Sequence, residues 1–362
     1  MAYLLSPWKD WCQNLVNSYT NSTSNAWKQV SEHDLFQRVE FAMAVHKDRY
    51  IIIAGGNRGD GEGIKSAGLY DIKADRHTEL PDLPEDFNSS YCGGVILNNY
   101  FYVYSLFFKE SMYRINLSRR QRWENVTSHM NEDIRVIAHN NNLYAVSGYQ
   151  NTIYDSILNE WAVLPPMITP RQHFAHALVE DKIYTVGGYN MNEKDQTSTV
   201  EVFDTKSQSW SQAPPLPNPL AHASTSVVGK WIIVTGGRDE SDHVLSKSFI
   251  FDTQRQQWIE GDMGLSTPRQ YHGCVTIGEE IISVGGCSDQ DRNTIYSMES
   301  INKRHLIPNL AMVDQLVQLR KLVDDDRAYV NSRSITVEDK TVQEIVTSLP
   351  DEVFRHVASF SL

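Results

Sequence analysis

"TPRQHFAHALVEDKIYTVGGYN" occupies residues 169–190 and "TPRQYHGCVTIGEEIISVGGCS" residues 267–288. Each opens on Thr-Pro-Arg-Gln and reaches Gly-Gly sixteen residues after the arginine, and the two copies start 98 residues apart. A third copy of the ending, "WIIVTGG" at 231–237, lies halfway between them. The chain is therefore built on a unit of about 49 residues, and a period in that range decides the fold class before any single residue does.

Extending the register finds six units, whose second-strand endings are "YIIIAGG" (50–56), "YFYVYS" (100–105), "LYAVSG" (143–148), "IYTVGG" (183–188), "IIVTGG" (232–237) and "IISVGG" (281–286). A third apolar run follows, with an aromatic residue seven positions before a tryptophan in "YDSILNEW" (154–161), "FDTKSQSW" (203–210) and "FDTQRQQW" (251–258). The first unit puts His77 where the tryptophan would fall, and the second stretches the spacing to "YRINLSRRQRW" (113–123). Short runs rich in β-branched and aromatic residues between turn residues predict four strands per unit. One four-stranded sheet cannot hide both of its faces, whereas sheets stacked around an axis can, with only short edges left over.

The double glycine, the following tyrosine or phenylalanine and the spaced tryptophan resemble the kelch repeat over roughly residues 27–305. Units two and three depart from it, with Tyr104-Ser105 and Ser147-Gly148 in place of the glycine pair. The resemblance implies an all-β fold, a six-bladed kelch-type β-propeller, with the tryptophans filling the space between blades. It also implies that one blade takes strands from both ends of the chain. Trp27 lies eleven residues before Arg38, as Trp258 lies eleven before Arg269, so "AWKQV" (26–30) is the favoured closing strand; "RHLIPNL" (304–310) is the rival.

Outside the repeats, residues 1–24 read as a leader. "NLAMVDQLVQLRKLVDDDRAYV" (309–330) has the apolar spacing of an amphipathic helix, so 306–362 is expected to be a helical tail. Its last stretch, "SLPDEVFRHVASFSL" (348–362), carries a serine cap with proline and acids in the first turn, and resembles the opening of an F-box.

The net charge of −12, from 33 Lys and Arg against 45 Asp and Glu, argues against a general nucleic-acid binder and against anionic membranes. The four cysteines form no CxxC pair, which speaks against a disulfide framework or a zinc site and for a reducing compartment. With no export signal read in "MAYLLSPWKDW", a cytoplasmic location is expected.

Arg38, Arg171 and Arg269 occupy equivalent strand entries, where units two, three and five have Asn88, Asn131 and Leu220. The resemblance places such entries on the loop face around the central channel, so three guanidinium groups are expected to ring one opening, and their planar forks suit carboxylates. Tyr149, Tyr189 and Tyr271 are expected to support them. The alternative for each arginine is structural, holding a neighbouring carbonyl or carboxylate. His173, His176, His222 and His272 cluster near the same strand starts without a carboxylate at fixed spacing, and the acidic loop 237–245 matches no calcium pattern. No metal or cofactor is expected. No nucleophile elbow or phosphate loop appears, which lowers the enzymatic reading. The expected function is non-catalytic capture of a protein partner, through an acidic segment, over the loop face. Two alternatives are a ubiquitin-ligase substrate receptor working through the C-terminal helix, and an isomerase or lyase using the channel histidines.

Overall fold

The computed structural model describes residues 27–106, 111–126, 133–261, 264–288 and 293–303. The leader, the closing-strand rival, the helical tail with its F-box-like end, and Asn131 lie outside the described residues.

The spacing of seven has a simple cause. A strand, a four-residue turn and a returning strand bring residues seven apart directly opposite each other, and the register pairs Tyr154 with Trp161, Phe203 with Trp210 and Phe251 with Trp258. The ring centroids in these pairs are 5.1, 5.2 and 4.8 Å apart, and each such pair adds about 0.5–1.5 kcal/mol beyond its buried area. His77 stands opposite Tyr70 in the same way. The second unit differs: Trp123 pairs with Ile115, while Tyr113 packs edge-on against Phe87 and donates to Asp86 at 2.7 Å. The aspartate after the aromatic residue makes the turn. Asp204 accepts from the amides of Lys206 and Ser207, and Asp252 from those of Gln254 and Arg255, a side-chain mimic of a backbone turn.

Six four-stranded antiparallel sheets result among the described residues, the first five with their strands in chain order. The first runs Ala42–His46, Tyr50–Ala54, Ala67–Asp71 and Arg76–Leu80. In the sixth, Gly273–Ile277, Glu280–Val284 and Ser297–Asn302 take their outer partner from Lys28–Glu32, so that sheet joins residues from both sides of the repeats. Successive first strands touch one another, and the sixth touches the first, giving the cyclic stacking of a kelch β-propeller. A small ladder of Arg171–Gln172, Tyr189–Asn190 and Asp195–Gln196 sits above the fourth sheet. No helix among the described residues is long and apolar enough to cross a membrane.

Apolar side chains from adjacent sheets share cores. Val186, Val200 and Leu216 of the fourth unit pack with Ile232, Val234 and Phe249 of the fifth. Tryptophan rings lock the same joints through their indole N–H: Trp123 donates to Pro81 O at 2.8 Å, Trp210 to Pro165 O at 3.0 Å and Trp258 to Pro214 O at 2.8 Å, each reaching the loop after the previous sheet.

Candidate functional site

The recurring arginine of the opening repeat turns inward. Arg171 and Arg269 are fully buried and Arg38 is 3% exposed. Arg269 donates through Nη1 to Gly285 O at 2.8 Å and Ser297 O at 3.0 Å, through Nη2 to Ser297 Oγ at 2.8 Å and through Nε to Glu299 Oε1 at 2.7 Å. Arg171 repeats this with Gly187 O, Thr199 O and Thr185 Oγ1, with Glu201 3.8 Å away. Arg38 bonds Gly55 O, Ser66 O, Ser66 Oγ and Leu35 O. The sixteen-residue interval is thus the reach from a strand entry to the glycine carbonyl where the next strand ends. Each guanidinium staples the second and third strands of its own sheet. Burial lowers Arg38 and Arg171 to about 10 and lowers Arg269 as well; Glu201 pulls Arg171 the other way and Glu299 Arg269. At about 10, Arg38 and Arg171 stay charged at neutral pH.

The arginine's own carbonyl faces the previous sheet. Gly237 N donates to Arg269 O at 2.7 Å and Gly286 N to Arg38 O at 2.9 Å, while Gly188 N donates to Leu220 O at 2.7 Å. The expected guanidinium ring at the channel opening is therefore corrected. The same strand-entry position that aligns the arginines brings them within reach of buried carbonyls and hydroxyls that take up their Nη donors, while Arg171 Nε is left without a partner. An acidic segment has no exposed arginine ring to bind.

What lines the mouth is the residue two positions further on. Glu40, Asp133, His173, His222 and Tyr271 hold this place in their units, all in the left-handed region with φ between 48° and 58°. Non-glycine residues in that region are uncommon and concentrate where surrounding structure imposes them. Here a belt of hydrogen bonds does so: His222 N to His173 O at 3.0 Å, Tyr271 N to His222 O at 3.2 Å and Glu40 N to Tyr271 O at 3.2 Å. At the third unit, the buried Asp133 carboxylate replaces a carbonyl and accepts from His173 N at 2.9 Å. Asp133 also lies 3.3 Å from Arg135 Nη1.

The side chains of this belt stack. His173 and His222 rings are 4.4 Å apart, His222 and Tyr271 rings 4.3 Å, with the Tyr271 hydroxyl 3.4 Å from His222 Nε2. They border a cavity of about 230 Å³ among the first strands, which Glu40, Arg135, His176 and His272 also line. Small residues, Gly93, Gly94, Ala175 and Gly273 among them, keep it open. In the second unit the Tyr104 ring takes up the space beside Gly93, where a Cβ would collide with it. The glycine at 93 thus makes room for the tyrosine that this unit has in place of a glycine.

Burial in the channel lowers His176 and His272 to about 3, with Arg135 and Arg269 respectively adding to the shift. Burial likewise pushes the Cys92 thiol up to about 12 and Cys274 up to about 11, so neither is a ready nucleophile. Among the described residues no three His, Cys, Asp or Glu side chains gather to hold a metal ion. The acidic loop caps itself: Asp239 accepts from the amides of Ser241 and His243, and Arg238 pairs with Asp242 at 3.1 Å.

A folded-state histidine held near 3 binds fewer protons than the unfolded chain below pH 6.5. Its contribution to stability is therefore intact above that value and is lost as pH falls from 6.5 towards 3, by about 1.4 kcal/mol per unit. Urea titrations of the wild type and His272→Gln between pH 7 and 4 are expected to show a shallower acid decline in the variant, and equal slopes would refute the assignment.

Of the three tyrosines, Tyr149 and Tyr189 flank one residue. Gln172 Nε2 donates to the Tyr149 hydroxyl at 3.2 Å, and its backbone pairs with Tyr189. Tyr149 is 50% exposed. Because Gln172 precedes His173, the line Tyr149, Gln172, His173, His222, Tyr271 is continuous across the rim. The members His173, His222 and Tyr271 stand in the sequence as "RQH", "LAH" and "RQY", but only alignment on the arginine position shows their equivalence.

Residues 172–306 match the family model described as the KLHDC2/KLHL20/DRC7 Kelch-repeats domain. Kelch-like protein 41b of Danio rerio is 28% identical over 135 residues, which is 37% of this chain and 22% of that protein.

Proposed function

We infer that this kelch-repeat protein works as a non-catalytic interaction scaffold, whose partner docks over the loop face around the channel mouth. Kelch repeats mediate protein–protein contact, and the observation that carries the reading here is the aromatic and imidazole line from Tyr149 to Tyr271 beside the cavity. Tyrosine gives large contact area with little side-chain entropy to lose, which is why it dominates binding hot spots. Tyr149, Tyr189 and Tyr271 are the partner-binding residues of this reading.

The combined variant Tyr149→Ala, Tyr189→Ala, Tyr271→Ala is expected to lose at least tenfold in affinity for the captured partner, about 1.4 kcal/mol or more, with its unfolding midpoint little changed. Capture of interacting proteins by wild type and variant, measured side by side, tests it; equal capture by a folded variant would sink the reading. A cytoplasmic site of action belongs to this reading as a proposal.

A second reading, substrate receptor of a ubiquitin ligase, draws on the F-box-like stretch 348–362. Co-purification of ligase scaffold subunits with the full chain, lost on deleting 348–362, is its test.

A further inference from the structure

The antiparallel register puts the start of each first strand beside the end of the second, and the start of the third beside the end of the fourth, as in Ala42 with Ala54 and Ala67 with Leu80. All loops entering first strands and leaving second strands therefore share one end, the end that carries the mouth. On the described loops of that end, ten carboxylates are exposed against three exposed cations, Arg58, Lys194 and Lys247. The loop 81–91 alone exposes Asp82, Glu85 and Asp86 and contains no basic residue. The hairpin turns at the opposite end reverse the balance, with six exposed cations, Arg119 and Arg122 among them, against four exposed carboxylates. The domain is charge-polarised along the channel.

The cavity itself agrees with that sign. Its guanidinium, Arg135, is engaged by Asp133 Oδ1 at 3.3 Å and Ile134 O at 2.9 Å, and Glu40 is the carboxylate in the lining. Tyr271, Phe41 and Phe174 add aromatic rings to the lining, and such rings attract a cation. His272, 7% exposed, has Nε2 3.0 Å from Thr235 Oγ1 and a buried Nδ1 with no partner. A volume of about 230 Å³ lies below the roughly 300–1,000 Å³ of small-molecule sites and suits a single long side chain.

We propose that the loop face captures a basic protein segment, with one lysine or arginine side chain entering the cavity beside Glu40 and Tyr271 while the acidic loops hold the flanking charges. The inference rests on the loop-face reading and reverses the sign of the partner expected from the sequence. Field polarity of this kind steers encounter and selects partners more than it adds raw affinity.

The test uses the full chain and two fluorescent peptides of equal length, an arginine–serine repeat and a glutamate–serine repeat, read by anisotropy. The arginine peptide is expected to bind, to weaken as salt screens the face, and to lose about tenfold in affinity in the set Glu62→Gln, Glu85→Gln, Glu193→Gln, Glu240→Gln. Glu40→Gln is expected to weaken it separately, and Arg119→Gln with Arg122→Gln at the far end to leave it unchanged. Preference for the glutamate peptide, binding of neither, or indifference to the glutamine sets overturns the proposal. If the triple tyrosine variant still loses its captured partner, the loop-face reading survives that failure; if that variant keeps the partner, the reading itself has failed.

Discussion

Arg269→Met is expected to lower the unfolding free energy by about 3–5 kcal/mol, because it leaves the Glu299 carboxylate, which has no solvent exposure, without its cation. Glu299 keeps its bonds from the Ser266 amide and hydroxyl, but these do not neutralise it. Three carbonyl or hydroxyl acceptors of the second and third strands lose their donor at the same time. Adding Glu299→Gln removes the stranded charge, so the double variant is expected to be less destabilised than the single effects sum to. Arg38 sharpens the comparison. Position 68, where the other units have Glu201 and Glu299, is a glycine, and Leu35 packs over it. Arg38→Met therefore strands no carboxylate and is expected to be milder, about 1–3 kcal/mol from unsatisfied carbonyls. Urea unfolding of the three variants checks the order, and an Arg269→Met change below about 1 kcal/mol would remove the staple from the account.

The glycine pairs carry the second large effect. Gly236 has φ +61° and its Cβ would collide with Arg269 O and lie 2.8 Å from His272 Cε1. The carbonyl is backbone of the next sheet and cannot swing away. Gly236→Ala thus combines left-handed strain of about 1–2 kcal/mol with overpacking of about 1–3 kcal/mol. Gly229 provides the control, since it has φ +54° and nothing within 4 Å of an added Cβ. Gly229→Ala is expected to lose only the strain. Similar midpoints for the two variants would show that the close approach between sheets is not what the second-strand glycines serve.

Much of the fold was legible because its signals are local. Residues seven apart meet across a short hairpin whatever surrounds it, so "FDTKSQSW" announces a strand, an aspartate-capped turn and a paired tryptophan. The stretched "YRINLSRRQRW" misled for the same reason: its extra residues change the register, and Ile115 rather than Tyr113 stands opposite Trp123. Tyr149 follows a second-strand ending into a bend, whereas Tyr189, after the next such ending, pairs with Gln172 in the small ladder.

The site was less legible. Equivalence of Arg38, Arg171 and Arg269 follows from counting, but counting does not say where a long side chain ends. Their destinations are carbonyls sixteen or seventeen and 28 residues downstream, brought close only when three strands of one sheet pair. Of the four histidines, His173 and His222 sit in left-handed backbone just before a first strand, a conformation that strand periodicity does not reveal.

The amino-acid sequence by itself determined the period, the strand content, the hairpin registers and the kinship with kelch repeats, since each depends on contacts between residues near in the chain. Tertiary structure alone decided which charges are buried, that Glu40, His173, His222 and Tyr271 share one rim, and that carboxylates collect at the mouth while cations collect at the far end. Those facts depend on how strands far apart in sequence stack around the channel, and burial, unlike periodicity, belongs to the whole assembly.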